Sequence, residues 1–241
     1  MSVHTLSAET KALLETVSVA TLATALYKRG LRNQVIQDVR PVVPKGRNMV
    51  GPAFTLRYMP AREDRNQLVE FRNPKHPQRQ AVEACPPGHV MVMDSRKSAT
   101  AASAGDILIT RLMMRGAAGV VTDGGYRDAM NIGQLEMPAY HNRPSSPTNL
   151  TTNEAIDINV PIGCGDAPVF PGDILVGDDD SVIVIPAHMA DEVAREAVEM
   201  TVFEDFVLSK VRTGASIIGL YPATIEANLE EFAKWRAASG R

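Results

Sequence analysis

The chain lacks most of the features that would fix a class outright. Its two cysteines, Cys85 and Cys164, show neither CxxC spacing nor a disulfide framework. They read as reduced, partly buried thiols. No run of roughly 18 uninterrupted apolar residues occurs, which argues against a membrane span. The formal net charge is only −3, so there is no electrostatic footprint for nucleic acid. The basic stretch from Arg62 to Arg79 is diluted by Glu63, Asp64 and Glu70 and reads as a solvated loop. The histidines, His4, His76, His89, His141 and His188, have no metal-ligand spacing to one another, which argues against zinc. His141 either lines a pocket or sits in a plain loop. No nucleophile elbow, Walker loop or dinucleotide fingerprint occurs in a convincing setting. The first segment lacks a basic n-region, and Glu9 and Glu15 interrupt its apolar face. An amphipathic helix is expected there instead of a signal peptide, and the protein is expected to be cytoplasmic.

What is present is ordinary globular material. The 241 residues are 44% hydrophobic, ample for a sizeable core. No Ser/Gly linker or repeat divides them, so one domain over 1–241 is expected. Helices are expected from Ser7 and over Thr21–Lys28, the second stopping at Gly30. Met49–Tyr58 reads as a strand interrupted by Gly51–Pro52. Residues 59–78 are polar, carry prolines, and read as an excursion before a short helix at Gln78–Ala84. His89–Asp94, a helix over Asp106–Arg115, and Gly119–Thr122 form a right-handed parallel crossover. Later strands are expected at Met137–Tyr140, Ile156–Val160, Pro171–Asp178 and Ser181–Ile185. A long helix follows over Ala187–Ser209, with Val193, Ala197, Val198 and Phe206 inward. A last charged helix holds the only tryptophan, Trp235.

The stretch GDILITRLMMRGAAGVVTDGGYRD, residues 105–128, concentrates the chemistry. Gly105 and Asp106 open an apolar helix. Its first turn presents unpaired N–H groups at Ile107 and Leu108, suited to a carboxylate. Gly124–Gly125 make a turn that delivers Arg127 and Asp128. A guanidinium grips a carboxylate with two parallel hydrogen bonds, and an aspartate is a hard oxygen ligand. Asp106 would hold a metal-bound water or pass a proton through it. The plainer alternative makes Asp106 a helix cap and Arg127–Asp128 a surface pair. Asp123 and the Asp178–Asp180 run are further acidic positions, read first as solvated turns. Ligands of open sheets bind beyond the carboxyl ends of strands, and these groups lie at that end.

The chain resembles the RraA-like family, which includes 4-hydroxy-4-methyl-2-oxoglutarate aldolases. Four blocks carry the resemblance: MVGPAFTLR at 49–57, the 105–128 stretch, PGDILVGDDDSVIVIP at 171–186, and GLYP at 219–222. It implies an α/β fold of the swivelling β/β/α kind, a central sheet flanked by helices. The core would span about 17–200, with a helical extension over about 201–241. It implies a homotrimer or dimer of trimers with the site at a subunit boundary. Arg127 resembles the family's carboxylate-binding arginine and Asp128 its metal-ligating aspartate. Asp106 matches the acidic position opening the motif, and Ile107 and Leu108 the N–H groups that meet substrate, with Gly105 beside them. Three features depart. Thr24 stands where many members have aspartate, Ser95–Arg96–Lys97 replaces a glycine-rich stretch, and residues 59–80 are longer. Arg96, Lys97 or the insertion would then reach the distal end of a substrate.

The function this implies is a lyase dependent on Mg2+ or Mn2+ that acts on 2-oxoacids. Retro-aldol cleavage would give pyruvate plus a carbonyl product. Oxaloacetate decarboxylation and dehydration of a 2-oxo-3-deoxy sugar acid are alternatives on the same metal site. A rival from another class is a non-catalytic regulator of ribonuclease activity acting by protein binding, which needs no metal aspartate.

Overall fold

The computed structural model describes residues 5–241, and His4 lies outside them. Its helices are α1 (Ala8–Leu14), α2 (Val19–Lys28), α3 (Pro77–Ala84), α4 (Asp106–Met114), α5 (Ala129–Gly133), α6 (Ala190–Arg212) and α7 (Glu226–Ser239). Its strands are β1 (Arg40–Pro41), β2 (Met49–Pro60), β3 (Val90–Asp94), β4 (Ala102–Ala104), β5 (Gly119–Thr122), β6 (Gly125–Tyr126), β7 (Ala139–His141), β8 (Arg143–Pro144), β9 (Asn153–Ile158), β10 (Ile162–Cys164), β11 (Ala167–Val169), β12 (Ile174–Gly177) and β13 (Val182–Ile185). Serine caps start the first two helices. Ser7 accepts from Thr10 N at 3.0 Å and Ser18 from Thr21 N at 3.1 Å. Val17 therefore lies between the helices and Val19 opens the second.

The main sheet runs β1-β7-β5-β3-β2-β12-β13, with β9 also on β2. Pairings β2–β3, β3–β5 and β5–β7 are parallel, so the expected β3–α4–β5 crossover is present. The expected interruption of β2 does not occur. Ala53 N donates to Asp173 O on the β12 side, so by alternation the nitrogen of Pro52 faces β3. There the ladder begins only at Ala53–Val90, and the missing N–H costs nothing.

The central strands are largely apolar because both faces are covered. Met91, Met93 and Val120 share a core with Ile109 and Leu112 of α4 and Ala81 of α3. Ile174, Val176, Ile183 and Ile185 meet α1, α2 and the Val193–Ala197 face of α6. Val198 is half-buried at that margin. Val90, Val92, Val121, Leu175 and Val184 point inside the curl of the sheet, against the β10–β11 hairpin. Cys164 sits there and Cys85 at the C-cap of α3, both free and fully buried instead of partly exposed. Burial pushes the Cys85 thiol up to about 12. Helix α6 runs unbroken through residue 200. An aromatic cluster, Phe203, Phe206, Phe232 and Trp235, seats α7 on it. No helix among the described residues is long and apolar enough to cross a membrane.

A second, parallel sheet, β4-β6-β8, forms from the segments that follow β3, β5 and β7. Gly124–Gly125 are thus a crossing between sheets and not a simple turn. A Cβ on Gly124 would lie 2.7 Å from Ser103 Oγ, and one on Gly125 2.5 Å from Ser145 Cβ. These glycines are close-approach positions. Ser95, Ser103 and Thr122 join their hydroxyls beneath the crossing, at 2.6 Å for Ser95–Ser103 and 2.6 Å for Ser103–Thr122.

Gly51 meets the same constraint in β2. A Cβ there would lie 2.4 Å from Gly88 O, a backbone atom that cannot yield. Gly51→Ala is expected to destabilise the fold by about 1–3 kcal/mol, the scale of overpacking. Thermal or urea unfolding beside wild type checks this, and an unchanged midpoint would refute it.

Candidate active site

Six residues named from the sequence, Gly105, Asp106, Ile107, Leu108, Arg127 and Asp128, line one cleft of about 370 Å³. The small sheet brings them together. Pairing of β4 with β6 sets Ala104 beside Tyr126, and Arg127 N donates to Ala104 O at 3.0 Å. A Cβ built on Gly105 would lie 3.4 Å from Asp128 Oδ2 and 3.5 Å from Arg127 Cβ. The start of α4 therefore faces the Arg127–Asp128 corner directly.

Gly105 is the N-cap of α4, and no side chain caps this helix. Its first backbone bond runs from Ile109 N to Gly105 O. The N–H groups of Ile107 and Leu108 find no acceptor among the described residues. Asp106 is not a cap. Its Oδ2 accepts from Asn131 Nδ2 of α5 at 2.9 Å, and Oδ1 has no partner among the described residues. Asp128 precedes α5 in the left-handed conformation, φ 55° and ψ 37°. That conformation is uncommon outside glycine but open to aspartate. Arg127 and Asp128 are exposed. Neither side chain makes a hydrogen bond or ion pair among the described residues.

The other acidic candidates are structural. Asp123 is buried and accepts from Ser95 N at 2.7 Å, Lys97 N at 3.0 Å and Gly165 N at 3.1 Å. Asp94 accepts from Arg96 N at 2.9 Å and lies outside the cleft. Burial holds both carboxyls above the ordinary range. Asp178 caps α2 through Val19 N at 2.8 Å, and Asp179 accepts from Lys45 N at 3.1 Å. No group of three or more metal-ligating side chains occurs among the described residues. Asp106 and Asp128 are the carboxylates that line the cleft, and one or two such ligands suit a hard cation that keeps several waters.

Asn131, Thr148 and Asn149 escaped the sequence reading, as did the individual residues Phe71, Gln78 and Arg79 within the 59–80 insertion. All but Asn131 line the cleft. The Arg62–Arg79 stretch is therefore not merely a solvated loop. Gln78 is buried and donates to Tyr58 Oη at 3.2 Å, fixing α3 over β4. A short polar segment rich in prolines gives no period from which this could be read. His141 is neither pocket nor loop. It ends β7 and stacks on Tyr126 at 5.4 Å between ring centroids.

The α/β fold thus joins a main sheet and a small parallel sheet with an arginine–aspartate corner facing a helix start. Residues 19–184 match the model of the RraA-like family, described as Aldolase/RraA, and the chain belongs to that family. A Halalkalibacterium halodurans protein named "Putative 4-hydroxy-4-methyl-2-oxoglutarate aldolase" is 38% identical over 111 residues, 46% of this chain and 52% of that protein. Protein DlpA of Legionella pneumophila is 23% identical over 198 residues, 82% of this chain and 31% of DlpA. The chain thus spans about half the length of the first relative and under a third of the second. The crystal structure of Streptomyces coelicolor RraAS2, described as an unusual member of the RNase ES inhibitor RraA family, superimposes with a TM-score of 0.74. It is 29% identical and covers 83% of this chain and 96% of its own. An uncharacterized Pseudomonas syringae protein shares the fold, with a TM-score of 0.79 at 21% identity, covering 92% of this chain and 96% of its own.

The buried His141 gives a pH prediction. Burial lowers it from 6.5 to about 4, and its Nδ1 has no partner. Between those values the unfolded chain binds the extra proton. The stability contributed by neutral His141 is therefore full above pH 6.5 and is lost as pH falls toward 4. Asp94 and Asp123, raised by burial, act in the opposite sense. The expected outcome is a melting temperature that drops less steeply over this window in His141→Gln than in wild type. Parallel slopes would refute it.

Proposed function

We propose that this chain is a divalent-metal-dependent carbon–carbon lyase acting on 2-oxoacids. The observation that carries the reading is the unpartnered Arg127–Asp128 corner, set against the free N–H groups of Ile107 and Leu108. Exposed ionic groups with no partner, held by a left-handed residue and a short sheet, are arranged for a ligand. Arg127 grips the substrate carboxylate in a planar fork, and the α4 N–H groups meet the same anion. Asp128 is the residue to hold Mg2+ or Mn2+. Lewis-acid polarisation of the keto oxygen is the chemistry such an ion supplies when bound.

Asp106 handles the proton. Its Oδ1 takes the proton of the C4 hydroxyl, directly or through a water. The C3–C4 bond then breaks, its electron pair moves toward C2, and negative charge gathers on the keto oxygen. C4 departs as a carbonyl. The protonated Asp106 returns its proton to C3, and pyruvate is released. Asn131 keeps the carboxyl oriented through Oδ2, so one oxygen holds position while the other exchanges the proton. Oxaloacetate decarboxylation uses the same charge development without the hydroxyl proton, and dehydration of a 2-oxo-3-deoxy sugar acid would need a different proton route. The reading takes the assembly as a homotrimer or dimer of trimers. Ile107 and Met130, 81% and 78% exposed beside the cleft, are side chains a neighbouring subunit would cover.

The direct test is pyruvate release from 4-hydroxy-2-oxoacids and oxaloacetate with Mg2+, with Mn2+ and with EDTA. No turnover over a broad panel would overturn the reading. It would shift weight to the ribonuclease-regulator alternative, which the likeness to RraAS2 favours. Two variants sharpen it. Asp106→Asn should melt like wild type, since Gly105 is the cap, yet lose turnover by about 10²–10⁴, the span of a positioned acid or base. Equal turnover would remove Asp106 from the chemistry. Asp128→Asn should keep its fold and lose stimulation by added metal; near-normal metal-dependent turnover would refute that assignment.

A further inference from the structure

Part of the cleft lining comes from the segment after β2, and it carries a second cation. Arg79, in α3, lines the cleft together with Arg127, and these are the two cationic side chains that do so. The Arg79 guanidinium carbon lies 4.7 Å from the centroid of the Phe71 ring. Its Nη1 is buried and has no hydrogen-bond partner. Glu70 and Glu154, whose charges reach the neighbouring His76, form no ion pair with Arg79. The other cations placed by sequence to reach a distal group are already engaged. Arg96 Nη1 donates to Asn153 Oδ1 at 3.2 Å and Lys97 Nζ to Asp166 Oδ2 at 2.6 Å, and neither lines the cleft.

A buried guanidinium nitrogen without an acceptor carries an uncompensated desolvation cost. Stacking on an aromatic face orients the planar group but leaves its N–H donors unmet. Nη1 itself is out of reach of the cleft, but Arg79 lines it, and an oxyanion there would meet the remaining N–H donors of a planar group shaped for one. We propose that Arg79, held by Phe71, is a specificity-determining residue that binds an oxyanion at the far end of the substrate. The inference rests on the 2-oxoacid reading, in which Arg127 takes the carboxylate beside the keto group. It makes the insertion the element that selects among oxoacids, while the corner conducts the chemistry.

The test is equilibrium binding by calorimetry in magnesium buffer, with two probes of equal chain length. 2-Oxoglutarate carries a distal carboxylate and 2-oxopentanoate a methyl group in its place. Wild type is expected to bind 2-oxoglutarate tighter by roughly tenfold or more, the scale of a charge-assisted hydrogen bond. Arg79→Gln should erase that preference while leaving 2-oxopentanoate affinity unchanged. Arg127→Lys should weaken both probes. Phe71→Leu, which removes the orienting ring but no charge, should reduce the preference, and this arm stands if Arg79→Gln misfolds. Equal affinity for both probes in wild type overturns the role of Arg79 and leaves the oxoacid reading intact. Equal weakening of both probes by Arg79→Gln marks a structural residue and also overturns it. Binding of neither probe by wild type overturns the oxoacid reading and this inference with it.

Discussion

The geometry of the cleft hangs on one buried carboxylate that never touches it. Asp123 follows β5 and accepts three backbone N–H groups, from Ser95 and Lys97 after β3 and from Gly165 in the β10–β11 hairpin. Ionising a carboxyl at that depth is costly, which is why its proton affinity is raised. Three short bonds offset the cost. They also hold Arg96 and Lys97 in the left-handed region, at φ 58° and 57°, where neither residue settles readily. In this way the chain leaves β3 and β5 at fixed positions. The crossing to the small sheet, and then the spacing of Gly105 from Asp128, follow from that clamp.

Set against Asp94 and Asp123, the corner residues are treated in the opposite manner. The buried carboxylates accept from backbone N–H groups, three at Asp123 and two at Asp94, which suits permanent joints. Asp128 spends none on its neighbours, although it occupies an unfavourable backbone conformation next to a cap glycine. Asp106 is divided between the two styles, with one oxygen fixed by Asn131 and the other free. Such a division holds a carboxyl still without neutralising it. Arg79 adds a second cation to the cleft lining, supported by a ring instead of an acid, so its charge also remains available.

The division of labour between layers follows the same logic. The main sheet is covered on its faces and supplies rigidity. The small sheet contributes strands of two or three residues, and its use is positional. Side chains that must meet a ligand sit on helix starts and crossings because backbone donors are unspent there.

The amino-acid sequence by itself determined what local pattern can determine. The continuous apolar runs of β3 and β5 with a helical run between them gave the parallel crossover. The Gly105–Asp106 helix start and the adjacent Arg127–Asp128 gave six cleft residues, because all lie within one supersecondary unit. Tertiary structure alone decided the rest. Asn131 reaches Asp106 only through the docking of α5 on α4, and Phe71 and Arg79 enter the cleft only because Gln78 and Tyr58 lock α3 over β4. The crossing role of Gly124–Gly125 was invisible because a glycine kept for close approach looks the same in sequence as one kept for a turn. The roles of Asp106 and Asp123 separated for a similar reason. An aspartate's letter does not say whether its oxygens face backbone donors or open space, and only the packing of distant strands settles that.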